Sequence, residues 1–470
     1  MSGIYRAGET KVRPGVYRRF EKTGANSTPS AIYGVFAIPV HADFGPLNKV
    51  TSFSSEQISE LKALYGSKGT VDAALALFDG GATTVYVYRL GTGGSKGSIA
   101  VKSTDVTIAT LSTKYPTDGD FNITIKPKLE DATVKQLIVY LGAELLETIE
   151  FKVSEDEKTA LVNAVNTTSK YLEAVVGEGT GTADAIANDT LTGGVAPTVT
   201  TENYSEAFEA FEAYKWNMLV LDTCDTSVHA LVKAYLDRIF NEGALGVCAL
   251  GEPTTVAFDT RCEHAKAFDS EKIIYLGSGY EDVAGNKVDG YLAIAKQAGI
   301  IGSMASNESA THTVISGAVN TLEVLKNSQY EKAIESGMLL LSPNETGQVW
   351  FDSGINTLIT LAENQDEGWK KVKRTSVRFE IFDRIDRVVN PLVGKVNCDN
   401  VGIGDIITAA QSILDAMASD TENKLQKGAT FAEDTSIKRG PDYAYFVIDA
   451  DDIDSLEKIY LRYMFRFSAE

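Results

Sequence analysis

The chain has 470 residues, 44% hydrophobic and 23% charged, enough apolar material for about three packed domains. Its formal charge is −20, from 64 acidic and 44 basic residues; such a surface repels phosphate and argues against a general nucleic-acid binder. No apolar run reaches the ~20 residues that cross a bilayer, the first residues lack the apolar stretch of a secretory signal, and Cys224, Cys248, Cys262 and Cys398 stand at no metal or redox spacing. The expectation is a reduced protein folded in a cytoplasm, with no membrane insertion.

Residues 1–30 read as a polar arm. Pro14-Gly15 interrupts regular structure, and Val16, Tyr17, Arg18, Arg19 and Phe20 follow as a short strand. The apolar run 31–38 predicts a buried strand. Ser54-Ser55 predicts a helix start, with Ile58, Leu61 and Leu64 on one face and a stop at Gly66. A second helix runs from Thr70 to Gly80-Gly81, and 83–90 is a strand alternating Val85 and Val87 with Tyr86 and Tyr88. The composition then changes: no arginine occurs between Arg89 and Arg238, and 91–200 lack Cys, His, Trp and Met. Short Thr- and Val-rich runs there predict a β-rich inserted domain over 95–195, with glycines 91–94 and 193–194 as flexible joints. From 200 onward, helices at 204–214, 227–240, 258–268 and 290–298 alternate with strands at 217–222, 246–251 and 272–277, the rhythm of a parallel α/β layer. Residues 375–389 fit a strand or a helix, 403–417 a helix, and 443–449 and 460–467 strands. Leu461, Tyr463, Phe465 and Phe467 share one face of the last. The fold class is therefore α+β and multidomain: a central α/β layer, a β-rich inserted domain and a mixed α+β C-terminal domain with extended terminal strands. The boundaries expected are an arm at 1–30, a first core part at 31–94, the insert at 95–195, the α/β part at 196–350 and a C-terminal domain at 351–470.

Local chemistry is sparse. Residues 272–285, KIIYLGSGYEDVAG, break the G-x-G-x-x-G pattern at Asp282 and read as a β–α turn. Residues 94–98 lack phosphate-loop spacing and read as a mobile linker. His41, His229, His264 and His312 fall at no metal-ligand spacing, and Cys262 and His264 point in different directions on a helix. The acidic run 449–457, DADDIDSLE, has Asp454 where a calcium loop needs glycine; it reads as a strand end entering a helix capped by Asp451, Asp452 or Asp454. Lys370, Lys371, Lys373 and Arg374 form the densest basic cluster, either a solvated turn or a docking face for an acidic partner. No catalytic, cofactor-binding or metal residue is expected. The competing reading is an α/β enzyme holding a small ligand above strands 217–222, 246–251 and 272–277.

Five segments, in order, resemble the phage tail sheath family, which includes the sheaths of R-type bacteriocins and phage-like particles. They are VRPGVYRRFE at 12–21, FDGGATTVYVYRL at 78–90, NYSEAFEAFEAYKWNMLVLD at 203–222, SVRFEIFDRIDRVVNPLVGKVNCDNVGIGDI at 376–406 and SLEKIYLRYMFRF at 455–467. The resemblance covers nearly the whole chain apart from 95–195. It implies a non-enzymatic subunit with no cofactor, assembled with copies of itself as hexameric rings stacked into a helical sheath around an inner tail tube. Baseplate and tail terminator proteins would cap it, no nucleic acid would be touched directly, and the insert would project outward. The particle would assemble in a bacterial cytoplasm and leave by lysis. The sheath would shorten irreversibly to drive the tube through a cell envelope. Val16 to Phe20 and Leu461 to Phe467 are then the expected inter-subunit strands, and Lys370, Lys371, Lys373 and Arg374 part of the tube-facing surface.

Overall fold

Short apolar runs bounded by turns build the central sheet. In the computed structural model, which describes residues 2–4, 16–18, 33–66, 68–154 and 156–466, its strands lie in the order Met338–Leu339, Ile273–Leu276, Val247–Gly251, Met218–Val220, Val35–Val40, Thr84–Arg89 and Val50–Ser54. All neighbours pair in parallel except the last two, which are antiparallel. Alternate residues feed two separate cores. Ile38, Val85, Val87, Val220 and Ile274 face one that includes Leu77 and Ala298, from helices Val71–Asp79 and Gly290–Ser303. Ala37, Tyr88, Leu219, Cys248 and Tyr275 face the other, with Phe208, Leu236 and Ala265 from helices Thr201–Phe211, Thr226–Asn241 and Phe258–Phe268. Burial on both faces explains why these strands read as nearly continuous hydrophobic runs. Helices Val71–Asp79 and Gly290–Ser303 approach closely near glycines; a Cβ on Gly299 would sit 2.6 Å from the Leu77 carbonyl oxygen.

The region 95–195 has its own core. Ser98–Ser103, Val106–Thr113 and Leu172–Val176 form one antiparallel sheet, and Phe121–Lys128, Asp131–Leu141, Glu144–Lys152 and Ile186–Thr190 a second. With helix Glu157–Thr168 they enclose Val101, Ile108, Leu111, Phe121, Leu137 and Leu161. The two crossings into this region are not the flexible linkers expected. They run side by side and exchange paired backbone hydrogen bonds, Thr92 with Thr198 (2.9 and 3.0 Å), Ser95 with Val195 (3.0 Å each way) and Ser98 with Thr192 (2.8 and 2.9 Å). The glycines serve this ribbon's close contacts: Gly91 has φ +125° and its missing Cβ leaves room for Pro197.

Two further expectations change. The turn after Ile273–Leu276 does not enter a helix; it leads to Tyr280–Asp282, which pairs with Lys287–Val288 and Ala318–Thr321. Asp282 shapes this hairpin by accepting from the backbone N–H groups of Ala284 and Asn286, each at 2.8 Å, a common turn use of aspartate. Residues 375–389 resolve as helix, within Val372–Val389.

Contacts divide the chain into two compact units. One comprises Met1–Ser30 and Arg384–Asp451, the other Ala31–Asp383 and Asp452–Glu470. The second holds the central sheet and the 95–195 region. In the first, helix Asn400–Met417 buries Ala410, Ile413, Leu414 and Met417, and Thr430–Glu433 pairs antiparallel with Phe446–Asp449, stacking Phe431 on Phe446. Arg384 holds Glu422 through two hydrogen bonds, of 2.5 and 3.0 Å.

A buried arginine ends the strand Thr84–Arg89. The Arg89 side chain is fully buried and donates to four carbonyls: Nε to Ala42 (2.9 Å), Nη1 to Gly45 (2.7 Å), and Nη2 to Asp43 (3.1 Å) and Pro116 (3.0 Å). Burial lowers its pKa to about 10, which leaves it cationic at neutral pH. It thus fastens the loop after Val35–Val40 to the start of the inserted region. Replacement by methionine strands those carbonyls and is expected to destabilise this unit by about 3–5 kcal/mol in denaturant unfolding. A loss below about 1 kcal/mol, the worth of one ordinary hydrogen bond, would contradict this account.

Candidate functional site

The N-terminal arm contributes a strand, Val16–Arg18, which pairs in parallel with Ser2–Ile4, Ser2 opposite Val16 and Ile4 opposite Arg18. Arg19 and Phe20, also expected in the inter-subunit strand, lie outside the described residues. At the other end, residues 458–466 take up no strand pairing among the described residues. Leu461, Tyr463 and Phe465 are 93%, 77% and 74% exposed, and Ile459, Tyr460 and Met464 are exposed beside them. Tyr463 and Phe465 meet edge to face, 4.2 Å between ring centroids. Phe467 lies outside the described residues.

The acidic run does not enter a helix. Asp452 grips Arg374 in a two-pronged pair, Nε to Oδ2 and Nη2 to Oδ1, both 2.6 Å. Lys371 bridges Asp454 (2.7 Å) and Glu457 (2.9 Å), and Lys373 donates to the Ser455 hydroxyl (3.0 Å). Glu457 also accepts from Ser309 (3.1 Å) and Thr311 (3.0 Å). Two of the three aspartates read as helix caps, Asp452 and Asp454, are instead counter-ions to Arg374 and Lys371, about 80 positions earlier. Of the expected tube-facing residues, Lys371 and Arg374 therefore meet opposite charge within their own unit, Lys373 is bonded to the Ser455 hydroxyl there, and Lys370 pairs locally with Glu367 at 3.0 Å. The clue missed in the sequence is the complementarity of its densest basic and densest acidic runs.

A crevice is present, but it is displaced from the place expected above strands 217–222, 246–251 and 272–277: His41, Asp222 and Pro253 line it, and no residue of 272–277 does. It opens where the sheet's connections diverge, between the carboxyl ends of Val35–Val40 and Met218–Val220, the usual ligand position in such folds. Asp222 is its hub. It accepts from the His41 backbone N–H (3.1 Å), Thr70 Oγ1 (2.5 Å) and Tyr204 Oη (2.9 Å), and pairs with His41 Nδ1 (2.8 Å). The hydrogen bond to Asp222 holds the His41 pKa above its ordinary value against the opposing effect of burial. Cys224, at the same crevice, is pushed up to about 12 by burial and stays a thiol, not the thiolate a nucleophile needs. These groups tie strand ends together. Among the described residues no cluster of His, Cys, Asp or Glu is arranged to hold a metal ion, and no helix is long and apolar enough to cross a membrane.

Residues 198–357 match the phage tail sheath protein central domain family. Phage-like element PBSX protein XkdK of Bacillus subtilis (strain 168) is 23% identical over 479 residues, spanning 97% of this chain and 98% of that protein. The sheath tail protein of Desulfitobacterium hafniense shares the fold with a TM-score of 0.69 at 19% identity, over 93% of this chain and 100% of that one. The helical sheath of the anti-feeding prophage in its contracted state aligns with a TM-score of 0.53 at 12% identity, over 97% and 99% of the two chains. The sheath resemblance drawn from the five segments is borne out by this family match and this shared fold. The matched family segment contributes four strands of the central sheet; the other three precede the insert.

The His41–Asp222 pair has a pH signature. Because the folded pKa of His41 lies above the ordinary 6.5, its stabilisation is fully present below pH 6.5 and is lost as pH rises through the raised value. The stability difference between wild type and His41→Gln, from thermal unfolding, is expected to be largest in that acidic range and to shrink toward alkaline pH. A difference that grows with pH would contradict the pairing.

Proposed function

We propose that this chain, carrying the tail sheath central domain at 198–357, is the structural subunit of a contractile tail sheath that polymerises around an inner tube and shortens to drive it through a cell envelope. The observation that carries the proposal is the C-terminal arm. Burying one large apolar side chain releases about 1.5–3 kcal/mol, so covering the six exposed at 459–465 releases on the order of 10 kcal/mol, before the entropy of ordering the arm is subtracted. An extended segment with free backbone groups and apolar side chains is suited to adding a strand to another copy's sheet. The hairpin Thr430–Glu433 with Phe446–Asp449 offers an acceptor, being a sheet of only two strands among the described residues; Gln411 bonds the Phe431 N–H on the outer side of Thr430–Glu433, so the edge of Phe446–Asp449 is the one suited to pairing.

In this reading the partners are copies of the chain, stacked as hexameric rings, with an inner tube within and baseplate and terminator proteins at the ends. Assembly takes place in a bacterial cytoplasm and release follows lysis. Shortening needs no fuel when it fires; it needs better-buried contacts in the short state, behind a kinetic barrier. The enzyme alternative draws no support from the family match or the structural neighbours, and the crevice residues are engaged with one another.

Negative-stain microscopy of the purified chain tests the proposal: striated cylinders or short contracted tubes are expected, and discrete small particles under all conditions would overturn it. Deleting residues 458–470 should leave the thermal midpoint within roughly 2 °C of wild type, since the arm adds little to its own subunit, yet abolish cylinders. Cylinders of normal length from that deletion would remove the arm from the assembly mechanism.

A further inference from the structure

Three cations crowd the start of helix Val372–Val389: Lys371 immediately before it, Lys373 and Arg374 in its first turn. This is the wrong end for them. The backbone dipoles of a helix present partial positive charge at the N-terminus, where anions are stabilising and cations are not. Cations fixed there need anions close by, and the chain brings them from far away. Asp452, Asp454 and Glu457 lie within 2.6–2.9 Å of Arg374 and Lys371, with Asp366 a more distant second counter-ion for Arg374 at 3.3 Å. The side chains of these three acids, Lys371 and Arg374 are mostly shielded from water, where salt screens a pair less than on an open surface. Backbone geometry is adapted to the contact as well. A Cβ on Gly368 would collide with the Arg374 guanidinium, so glycine leaves the space in which that group sits. The contrast along the chain is abrupt: Glu457 still accepts hydrogen bonds from Ser309 and Thr311, whereas Ile459 to Phe465 are exposed.

We propose that Lys371, Lys373 and Arg374 form an electrostatic clasp that holds residues 452–457 on their own subunit and fixes the point from which the C-terminal arm departs toward another copy. The role of the arm rests on the sheath reading; the clasp itself does not. A strand that must reach a second copy is useful only if its root is stationary, because each residue of slack widens the volume its tip explores and dilutes it at the acceptor. The clasp supplies that stationarity without covering the apolar residues that follow. It is a positioning device, distinct from the strand that makes the bond.

The test uses the full chain with a nitroxide at Leu456→Cys, an exposed position between two clasped residues, in a Cys398→Ser background that removes the exposed native thiol. Wild-type contacts should give a broad, slow-motion spectrum. Lys371→Glu with Arg374→Glu should sharpen it to that of a mobile tail, as should Gly368→Ala, which displaces the arginine without altering any charge. Adding Asp452→Arg and Asp454→Lys to the charge-reversed variant should restore much of the broadening. An unchanged spectrum in both the charge-reversed and the Gly368→Ala proteins overturns the clasp. Microscopy of the same variants then reads its purpose: at least a tenfold drop in cylinders, recovered in the charge-swapped protein, is expected. A mobile root with wild-type cylinders overturns the positioning role while leaving the sheath reading intact. Wild-type chain that never polymerises overturns the sheath reading and the positioning role with it, and the spectra still decide the clasp.

Discussion

A parallel sheet has to be covered on both faces, because each return connection crosses a face and lays a helix on it. That constraint organises the larger unit. It places Val85 and Val87 in one core and Tyr88 in the other, demands helices close enough for Gly299 to be necessary, and gathers polar residues at the carboxyl ends of the strands. There Asp222 binds four groups on three residues, His41, Thr70 and Tyr204, and Arg89 binds four carbonyls. Both act as fasteners of chain that the sheet cannot hold by ladder bonds. With the sheet faces closed, the assembly surfaces proposed above lie outside it, in the C-terminal arm and the two-stranded hairpin.

The α/β rhythm after residue 200 was legible because its signals are local. Periodicity and turn residues place Thr226–Asn241 and Phe258–Phe268 within a residue or two of the reading from sequence. What escaped depends on partners remote in the chain. Asp452 and Asp454 look like helix caps to any local rule, since capping is the common use of aspartate beside an apolar run; only the fold brings Arg374 and Lys371 to them. The glycines at 91–94 and 193–194 look like slack for the same reason, since neither segment has a hydrogen-bond partner until the other is beside it. The turn at 277–279 was misjudged because a glycine-rich stretch after a buried strand precedes strands as readily as helices, and Tyr280–Asp282 is too short to show a period. The candidate assembly residues divide likewise: the exposure of Leu461, Tyr463 and Phe465 fits a strand without a home, whereas the fate of the basic cluster was invisible without the fold.

A chain of charge −20 that gathers into a polymer must overcome repulsion among its copies. Strand addition suits that problem, because backbone hydrogen bonds between extended segments carry no net charge. The arm follows the same logic. Its acidic residues are spent on cations within the subunit, while Lys458, Arg462 and Arg466 accompany the apolar residues of 459–465. In the assembly proposed, the portion offered outward is thus apolar with a basic tint, and the copies that would receive it are acidic as a whole.

The paired stem of the 95–195 region has a consequence of a different kind. Strands bonded in this manner lie about 5 Å apart, so the chain leaves the core and returns to it as two adjacent ends; beyond the stem, the core touches the insert through Arg89 on Pro116 and through Phe44 against Tyr115, Phe121 and Tyr171. The entropy of closing the loop is settled at the stem, and lengthening the material beyond it adds little. Such a junction works as a socket: a domain of different size suits the ribbon as long as it supplies a carbonyl for Arg89 and an apolar seat for Phe44.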